Sequence, residues 1–416
     1  MNVLVVGAGG REHALAYAFA KSASVTRVYA APGNDGMENY AECVNIAETD
    51  QESLVAFAKE KKVELTVIGP EAPLLDGLSD RFEREGLRVF GPSEKAAMIE
   101  GSKSYAKEVM ERYNIPTGAY ASFSKYEEAV AYVRSQGAPI VIKADGLAAG
   151  KGVTVAMTEA EAVQALEEVL KDHKFGEAGA EVVIEEFLEG EELSLMAFVH
   201  GETVVPMVAA QDHKRAYDND EGPNTGGMGA YSPVPQFTQK DIDEAVEKVI
   251  QPAASGLVQE GAPFTGVLYA GLMMTSGGPK VIEFNARFGD PEAQVVLPRL
   301  ESDLAELLVT LLDGGTPEPV WSEDAVVGVV AASKGYPGSY EKNRPIHHVP
   351  ESPLLFFAGV EKKNGGYVNS GGRVLLLSEK AATLGEAKAQ VYEKMKELDT
   401  GNLFYRTDIG FRALQQ

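Results

Sequence analysis

Several clusters in this chain have the residue types and spacing to do chemistry. Val6-Gly7-Ala8-Gly9-Gly10-Arg11-Glu12-His13 follows an apolar run and opens a helical pattern. Glycines at a strand-to-helix turn let backbone N–H groups approach a phosphate at the helix N-terminus. A nicotinamide site fits poorly. The third glycine of a dinucleotide fingerprint would fall at Glu12, and the next strand ends Tyr29-Ala30-Ala31-Pro32-Gly33-Asn34, with no acid for a ribose hydroxyl. The turn reads as a seat for a single phosphate, with an unliganded tight turn as the bland alternative.

Lys143-Ala144-Asp145-Gly146-Leu147-Ala148-Ala149-Gly150-Lys151-Gly152-Val153 sets glycines beside two lysines, a pattern for a flap that wraps a triphosphate. It is no Walker A loop: Asp145 takes the first glycine position, and Gly152 stands where Ser or Thr would bind magnesium. In Glu185-Glu186-Phe187-Leu188-Glu189-Gly190-Glu191-Glu192, backbone groups beyond an apolar strand can bond adenine, and a carboxylate four residues past Leu188 can accept from ribose. In Val281-Ile282-Glu283-Phe284-Asn285-Ala286-Arg287-Phe288-Gly289-Asp290-Pro291-Glu292, strand alternation puts Glu283 and Asn285 on one face. Two hard oxygen ligands, completed by substrate phosphates, make an economical magnesium site. Arg287, on the same side if the strand continues, can clamp a carboxylate or phosphate. The bland readings are a hairpin turn, an acidic surface turn and an exposed strand.

The elements that must position these groups alternate. Up to Phe90, short apolar runs end in Gly or Pro and are separated by helical stretches such as Arg11 to Lys21 and Gln51 to Lys61, predicting a doubly wound parallel sheet. Ser93 and Ser102 are expected helix N-caps. After Pro116 come strands at 139–143, 153–155, 181–184, 192–199, 204–208, 266–274 and 280–284, with helices at 159–171 and 241–259. Residues Asp212 to Pro235 read as one long Gly-, Pro- and Asn-rich loop of the functional or disordered kind. A last unit starts near Ala325, with a strand at 373–377 and a helix at 384–398.

Composition narrows the function classes. The chain has 416 residues, 44% of them apolar, and a net charge of −24, which repels nucleic acid and anionic membranes. The lone cysteine, Cys43, excludes a disulfide framework and is expected as a small packed residue. No basic leader or long apolar run is read, so a cytoplasmic protein is expected.

Taken together these stretches, with Gly69-Pro70-Glu71-Ala72-Pro73-Leu74, Gln211-Asp212-His213-Lys214-Arg215, Gly222-Pro223-Asn224-Thr225-Gly226-Gly227-Met228-Gly229 and Asp408-Ile409-Gly410, resemble the phosphoribosylamine–glycine ligases of purine biosynthesis. The resemblance spans the chain. It implies an α/β architecture: an N-terminal doubly wound domain for phosphoribosylamine (1–101), a split ATP-grasp module (102–120 with 188–324, and a lid subdomain at 121–187), and a small β-rich α+β domain (325–416). By the same resemblance, Lys103, Lys143, Gly146, Gly150, Lys151 and Gly152 serve the triphosphate. Glu185, Glu186, Phe187 and Leu188 frame adenine, and Glu192 binds ribose, with Glu191 as fallback.

Glu283 and Asn285 match the family's metal ligands for Mg2+ or Mn2+. The family's further carboxylate on the preceding strand is missing from Leu268-Tyr269-Ala270-Gly271-Leu272. Gly9, Gly10, Arg11, Glu12, Pro32, Gly33, Asn34, Glu71, Asn224, Thr225, Gly226, Gly227 and Met228 are the implied substrate contacts. Arg287, Asp290, Asp212 and Lys214 are the implied catalytic set, with either aspartate able to meet an ammonium group. The implied reactants are ATP, glycine and 5-phosphoribosylamine; a monomer is compatible with the sequence. The rival readings are a carboxylating or formylating ATP-grasp relative, a nicotinamide oxidoreductase and a non-catalytic nucleotide binder.

Overall fold

The computed structural model describes residues 1–146, 152–172, 180–398 and 400–414. A parallel five-stranded sheet runs in the order Glu42–Cys43, Arg27–Pro32, Asn2–Gly7, Leu65–Ile68, Val89–Phe90. Helices cover both faces, so the inner strands are apolar without alternation; Val3 to Val6 are wholly buried. Strand order reverses beside Asn2–Gly7, and the loops at the strands' carboxyl ends part there. The helix Gly10–Lys21 starts in that crevice. Ser93 and Ser102 cap the helices Glu94–Gly101 and Lys103–Arg112 as expected, accepting from the amides of Ala96 and Tyr105.

A second sheet is antiparallel: Tyr120–Phe123, Val182–Glu186, Ile140–Ala144, Val153–Ala156. The helices Tyr126–Gln136 and Glu159–Leu170 pack a separate core on one of its faces through Val133, Leu166, Ile142 and Ile184. Period-two alternation then turns Lys143 and Glu185 to the opposite face. The third sheet, Thr203–Pro206, Glu191–His200, Thr265–Thr275, Gly278–Asn285, is also antiparallel and lies against that face.

The last sheet joins Gln211–Asp212 and Gly229–Ser232 to Ala325–Ser333, Arg373–Ala381 and Leu355–Phe357, with Leu403–Phe404 at the side. The expected long loop at 212–235 is therefore corrected. Besides the ends of that sheet, where Gly229–Ser232 pairs with the distant Ala325–Ser333, it contains a local hairpin, Arg215–Tyr217 with Glu221–Asn224. Cys43 is a second correction: it is exposed, since its strand is a two-residue edge. Among the described residues no helix is long and apolar enough to cross a membrane.

Candidate active site

Where the second and third sheets face each other, cations gather. Lys143 donates from Nζ to the carbonyl of Ile282 at 2.8 Å and lies 2.9 Å from one Glu185 oxygen. Lys107 takes the other Glu185 oxygen at 2.9 Å and bonds Thr117. Burial pushes the Glu185 carboxyl up, but Lys143 and Lys107 outweigh it and hold the group below its usual range. Burial pulls Lys107 down despite its partner. One carboxylate between two ammonium groups leaves a net positive charge that an anionic guest would neutralise. Lys103 begins a neighbouring helix, donates to the Gly146 carbonyl at 2.8 Å, and is pulled down by burial with Glu283 and Asp145 opposing. Asp145 secures that helix start through Ser102 Oγ and the Ser104 amide.

Glu283 and Asn285 stand opposite Gly271 and Tyr269 across the third sheet. A bulge at Ile282 makes this possible, because Leu272 pairs with Val281 while Gly271 pairs with Glu283. Val281 and Phe284 then face the core, and Glu283 and Asn285 face the site. The strand ends at Asn285, so Arg287 reaches the same side by folding back: its NH2 donates to Asn285 Oδ1 at 3.0 Å. Arg287 also pairs with Glu100 at 2.8 Å and lies 3.5 Å from Glu71. Those carboxylates raise its guanidinium above its usual range against burial.

Magnesium fits this donor set. The Glu283 carboxylate has no hydrogen bond or ion pair with a described residue, yet it lies in the field of Lys103, Lys214 and Arg287. A free carboxylate beside an amide oxygen, with cations behind it, is what a hard ion sharing anionic ligands requires. Among the described residues no group of three or more His, Cys, Asp or Glu side chains is arranged for a metal, so Glu283 and Asn285 would hold an ion only together with ligands from outside the protein side chains.

At the N-terminal turn, Glu12 folds inward and accepts from the Gly9 amide at 2.6 Å and from Arg11 Nε at 2.6 Å. A Cβ on Gly69 would lie 1.9 Å from its carboxylate, so Glu12 fills the space between the two strand ends. Asn34 donates to the carbonyls of Ala8 and Phe357 at 2.8 and 3.0 Å, tying the turn to the C-terminal sheet. From the same sheet Arg373 bonds the Gly226 and Asp290 carbonyls. Asp290 accepts from Gln294 at 2.8 Å; Arg373 and Arg11 outweigh burial and keep its carboxyl low.

Between the two halves, Lys214 Nζ donates to Glu192 at 2.6 Å and to Asp212 at 3.0 Å. Burial drives the Asp212 carboxyl up to about 6, with Lys214 opposing and Glu292 and Glu192 adding to the rise. Glu292 itself accepts from Ser194 and Tyr269 at 3.0 and 2.5 Å.

The structure thus brings together Lys103, Lys143, Glu185, Glu192, Asp212, Lys214, Glu283, Asn285 and Arg287, and gathers Gly9, Arg11, Glu71, Gly226, Gly227 and Asp290 beside them. Gly150 and Lys151 lie outside the described residues. Glu186 and Glu191 are engaged elsewhere, with the Ala119 amide and Gln236. The Met228 side chain is wholly buried in the core, which leaves only its backbone for a ligand. Thr225 bonds the Lys214 carbonyl and the Gly227 amide, bracing the loop. Sequence reasoning missed Lys107, Glu100, Arg373, Gln294 and the Ser194–Tyr269–Glu292 set; Tyr269 lies within the 268–272 run and Glu292 ends the 281–292 run, and the others carry no motif.

Two antiparallel sheets closing on a lysine pair and a hard-oxygen pair define a protein of the ATP-grasp class. Family models described as phosphoribosylglycinamide synthetase match residues 1–100 (N domain), 101–293 (ATP-grasp domain) and 326–412 (C domain). The chain belongs to this family. It is 62% identical to the phosphoribosylamine–glycine ligase of Halalkalibacterium halodurans, over 100% of this chain and 98% of that one. The crystal structure of the Thermotoga maritima phosphoribosylamine–glycine ligase superposes with a TM-score of 0.87 at 36% identity, covering 99% of this chain and 100% of that one. The biotin carboxylase domain of Hydrogenobacter thermophilus 2-oxoglutarate carboxylase shares the fold, at 16% identity and a TM-score of 0.74, over 97% and 91% of the two chains.

Proposed function

We propose that this site joins glycine to 5-phosphoribosylamine with ATP, forming glycinamide ribonucleotide, ADP and phosphate for purine synthesis in the cytoplasm. The observation that carries the reading is the position of Glu283, Asn285 and Arg287, between the Lys103–Lys143 pair on one side and the Asp290–Arg373 and Asp212–Lys214 pairs on the other.

A carboxylate does not acylate an amine, because oxide is too poor a leaving group. In the proposed reaction a glycine carboxylate oxygen attacks the γ-phosphorus, and the bond to the bridging oxygen breaks with its electrons leaving on ADP. The amine nitrogen then attacks the carbonyl carbon of glycyl phosphate. Phosphate departs with the C–O electron pair, and nitrogen loses a proton. Such transfer depends on positioning and charge neutralisation. Lys103, Lys143 and the glycine-rich loop, with Gly146 and Gly152 at its described ends, receive the triphosphate. Glu185 to Leu188 border adenine, and Glu192 takes the ribose. Held by Glu283 and Asn285, magnesium (or manganese) would neutralise phosphate charge. Arg287 orients the transferring group or the glycine carboxylate. Gly9, Gly10, Arg11 and Gly226–Gly227 receive the phosphoribosyl end, and Asp290 or Asp212 meets an ammonium group.

The test is ADP release with phosphoribosylamine generated in situ, with and without glycine. Turnover requiring both, with one phosphate per amide, is expected. Release that ignores glycine and answers to formate or bicarbonate would transfer the chain to a sister reaction.

A further inference from the structure

The hairpin between Lys214 and Thr225 has almost no core of its own. Ala216 is buried, but Tyr217, Glu221, Gly222 and Pro223 are exposed. It also turns through Asn219 and Asp220 at φ +61° and +56°, conformations that persist only when the surroundings impose them. Phe404 packs on the Tyr217 ring, and Tyr336 and Arg373 hold Gly226 at the far root; the hydrogen bonds to the turn itself come from one segment, Arg406 to Arg412. Arg406, 1% exposed, donates to the Arg215 carbonyl and Asp220 at 3.0 Å each and holds Asp408 through two bonds of 2.8 Å. Arg412 takes the second Asp220 oxygen. The Thr407 amide donates to Asp218 and the Asn219 amide to Asp408, both at 2.8 Å. Gly410 donates to Nε2 of the buried His213 at 2.9 Å, and Phe411 lies against that ring.

Both roots of the hairpin enter the candidate site. One carries Asp212 and Lys214, the other Gly226 and Gly227. They are cross-linked by the Thr225 amide on the Lys214 carbonyl and the Met228 amide on the His213 carbonyl, each 2.8 Å. Lys103, Lys143 and Glu185 stand on other elements, away from this segment.

We propose that Arg406–Arg412 is a strap that fixes hairpin 213–228, so that Asp212, Lys214 and Gly226–Gly227 are held in place for the substrates other than ATP. Arg406 and Asp220 are its positioning residues. The proposal rests on the ligase reading of the site. It weights two functions in the chain differently: nucleotide capture, which touches the hairpin only where Lys214 bonds Glu192, and alignment of the acyl and amine partners, which depends on both roots.

The experiment uses the full chain with Arg406→Gln, and with Asp218→Asn as a milder cut at the half-exposed end of the strap. Backbone hydrogen exchange at Thr225 and Met228 is measured beside steady-state turnover and ADP binding. In both variants these amides should exchange ~10-fold faster or more, while kcat/KM for glycine falls ~10–100-fold and the ADP dissociation constant stays within ~3-fold. Arg406→Lys keeps the charge but cannot span its separate acceptors, and should lie between wild type and Arg406→Gln. Faster exchange with unchanged turnover overturns the positioning role, unchanged exchange overturns the strap, and ADP affinity lost in parallel means general loss of structure. Should Arg406→Gln fail to fold, Asp218→Asn decides by the same criteria. Wild-type turnover is measured first: lack of glycine dependence there refutes the ligase reading, while the exchange result still judges the strap.

Discussion

Arg373 reaches from the C-terminal sheet to donate to the carbonyl of Asp290 at 2.7 Å, with its second terminal nitrogen 3.4 Å from the Asp290 carboxylate. The same guanidinium bonds the Gly226 carbonyl at 2.7 Å, so one side chain joins two loops that are far apart in sequence. One terminal nitrogen makes both carbonyl bonds while the other faces the carboxylate, and the planar fork fixes the two together. Arg373→Met should therefore lower kcat/KM for the ribosylamine ~100-fold while leaving nucleotide binding within ~3-fold. Initial rates against each substrate check this, and near-normal rates would remove Arg373 from the site.

Among the described residues the Glu283 carboxylate has no hydrogen-bond partner to lose, so its replacement should harm chemistry without harming the fold. For Glu283→Ala, glycine-dependent turnover is expected to fall by ~10²-fold or more, with the thermal midpoint within a few degrees of wild type. Activity rescued by raised magnesium would confirm a metal-binding contribution. Near-normal activity at low magnesium would exclude it.

The Asp212 carboxyl, pushed up to about 6 by burial, is ionised above that pH and neutral below it. If it holds an ammonium group, kcat/KM should be flat above pH 6 and fall toward tenfold per pH unit below it. Asp212→Asn should lower the plateau and abolish this limb. A profile with the same limb in the variant would assign the titration elsewhere.

His13 gives a stability prediction. Buried among Tyr40, Phe356 and Phe357, it accepts the Phe357 amide through Nδ1 at 2.9 Å, and burial lowers its pKa to about 4. The unfolded chain takes up this proton near pH 6.5 and the folded chain only near pH 4. The associated stability is therefore present above 6.5 and lost as pH falls through that window, by at most ~3 kcal/mol. Between pH 7.5 and 5, wild type should lose more stability to denaturant than His13→Gln does; equal losses would rule out His13 as the source.

Much of this was legible beforehand because it is local. Gly7–Glu12 predicts its turn, Ser93 and Ser102 their helices, and the 281–287 stretch its one-sided polar pair. What escaped was set by distance. Glu100 caps the Ala286 amide from a helix of the first hundred residues, and Arg373 comes from the far end of the chain. Neither carries a spacing that marks its partner. The turn-rich 212–235 segment misled because its strands are only two to four residues long, and Gly229–Ser232 is recruited by the distant Ala325–Ser333. Cys43 misled because apolar neighbours in sequence do not imply a covered edge.

The bulge at Ile282 has an evolutionary corollary. Ahead of it the strand is in one phase, with Val281 turned to the interior; beyond it the phase is inverted, and Glu283 emerges on the other side. Substitutions along this strand can change what is presented but not where it is presented. A net one-residue indel between Val281 and Glu283 would swap the two sides, sending a carboxylate into the apolar interior and a phenylalanine toward Lys103 and Lys214. Paired insertions at the Thr275–Gly278 tip leave the phase intact. Sequence length should thus be free to drift at that tip and frozen a few residues further on.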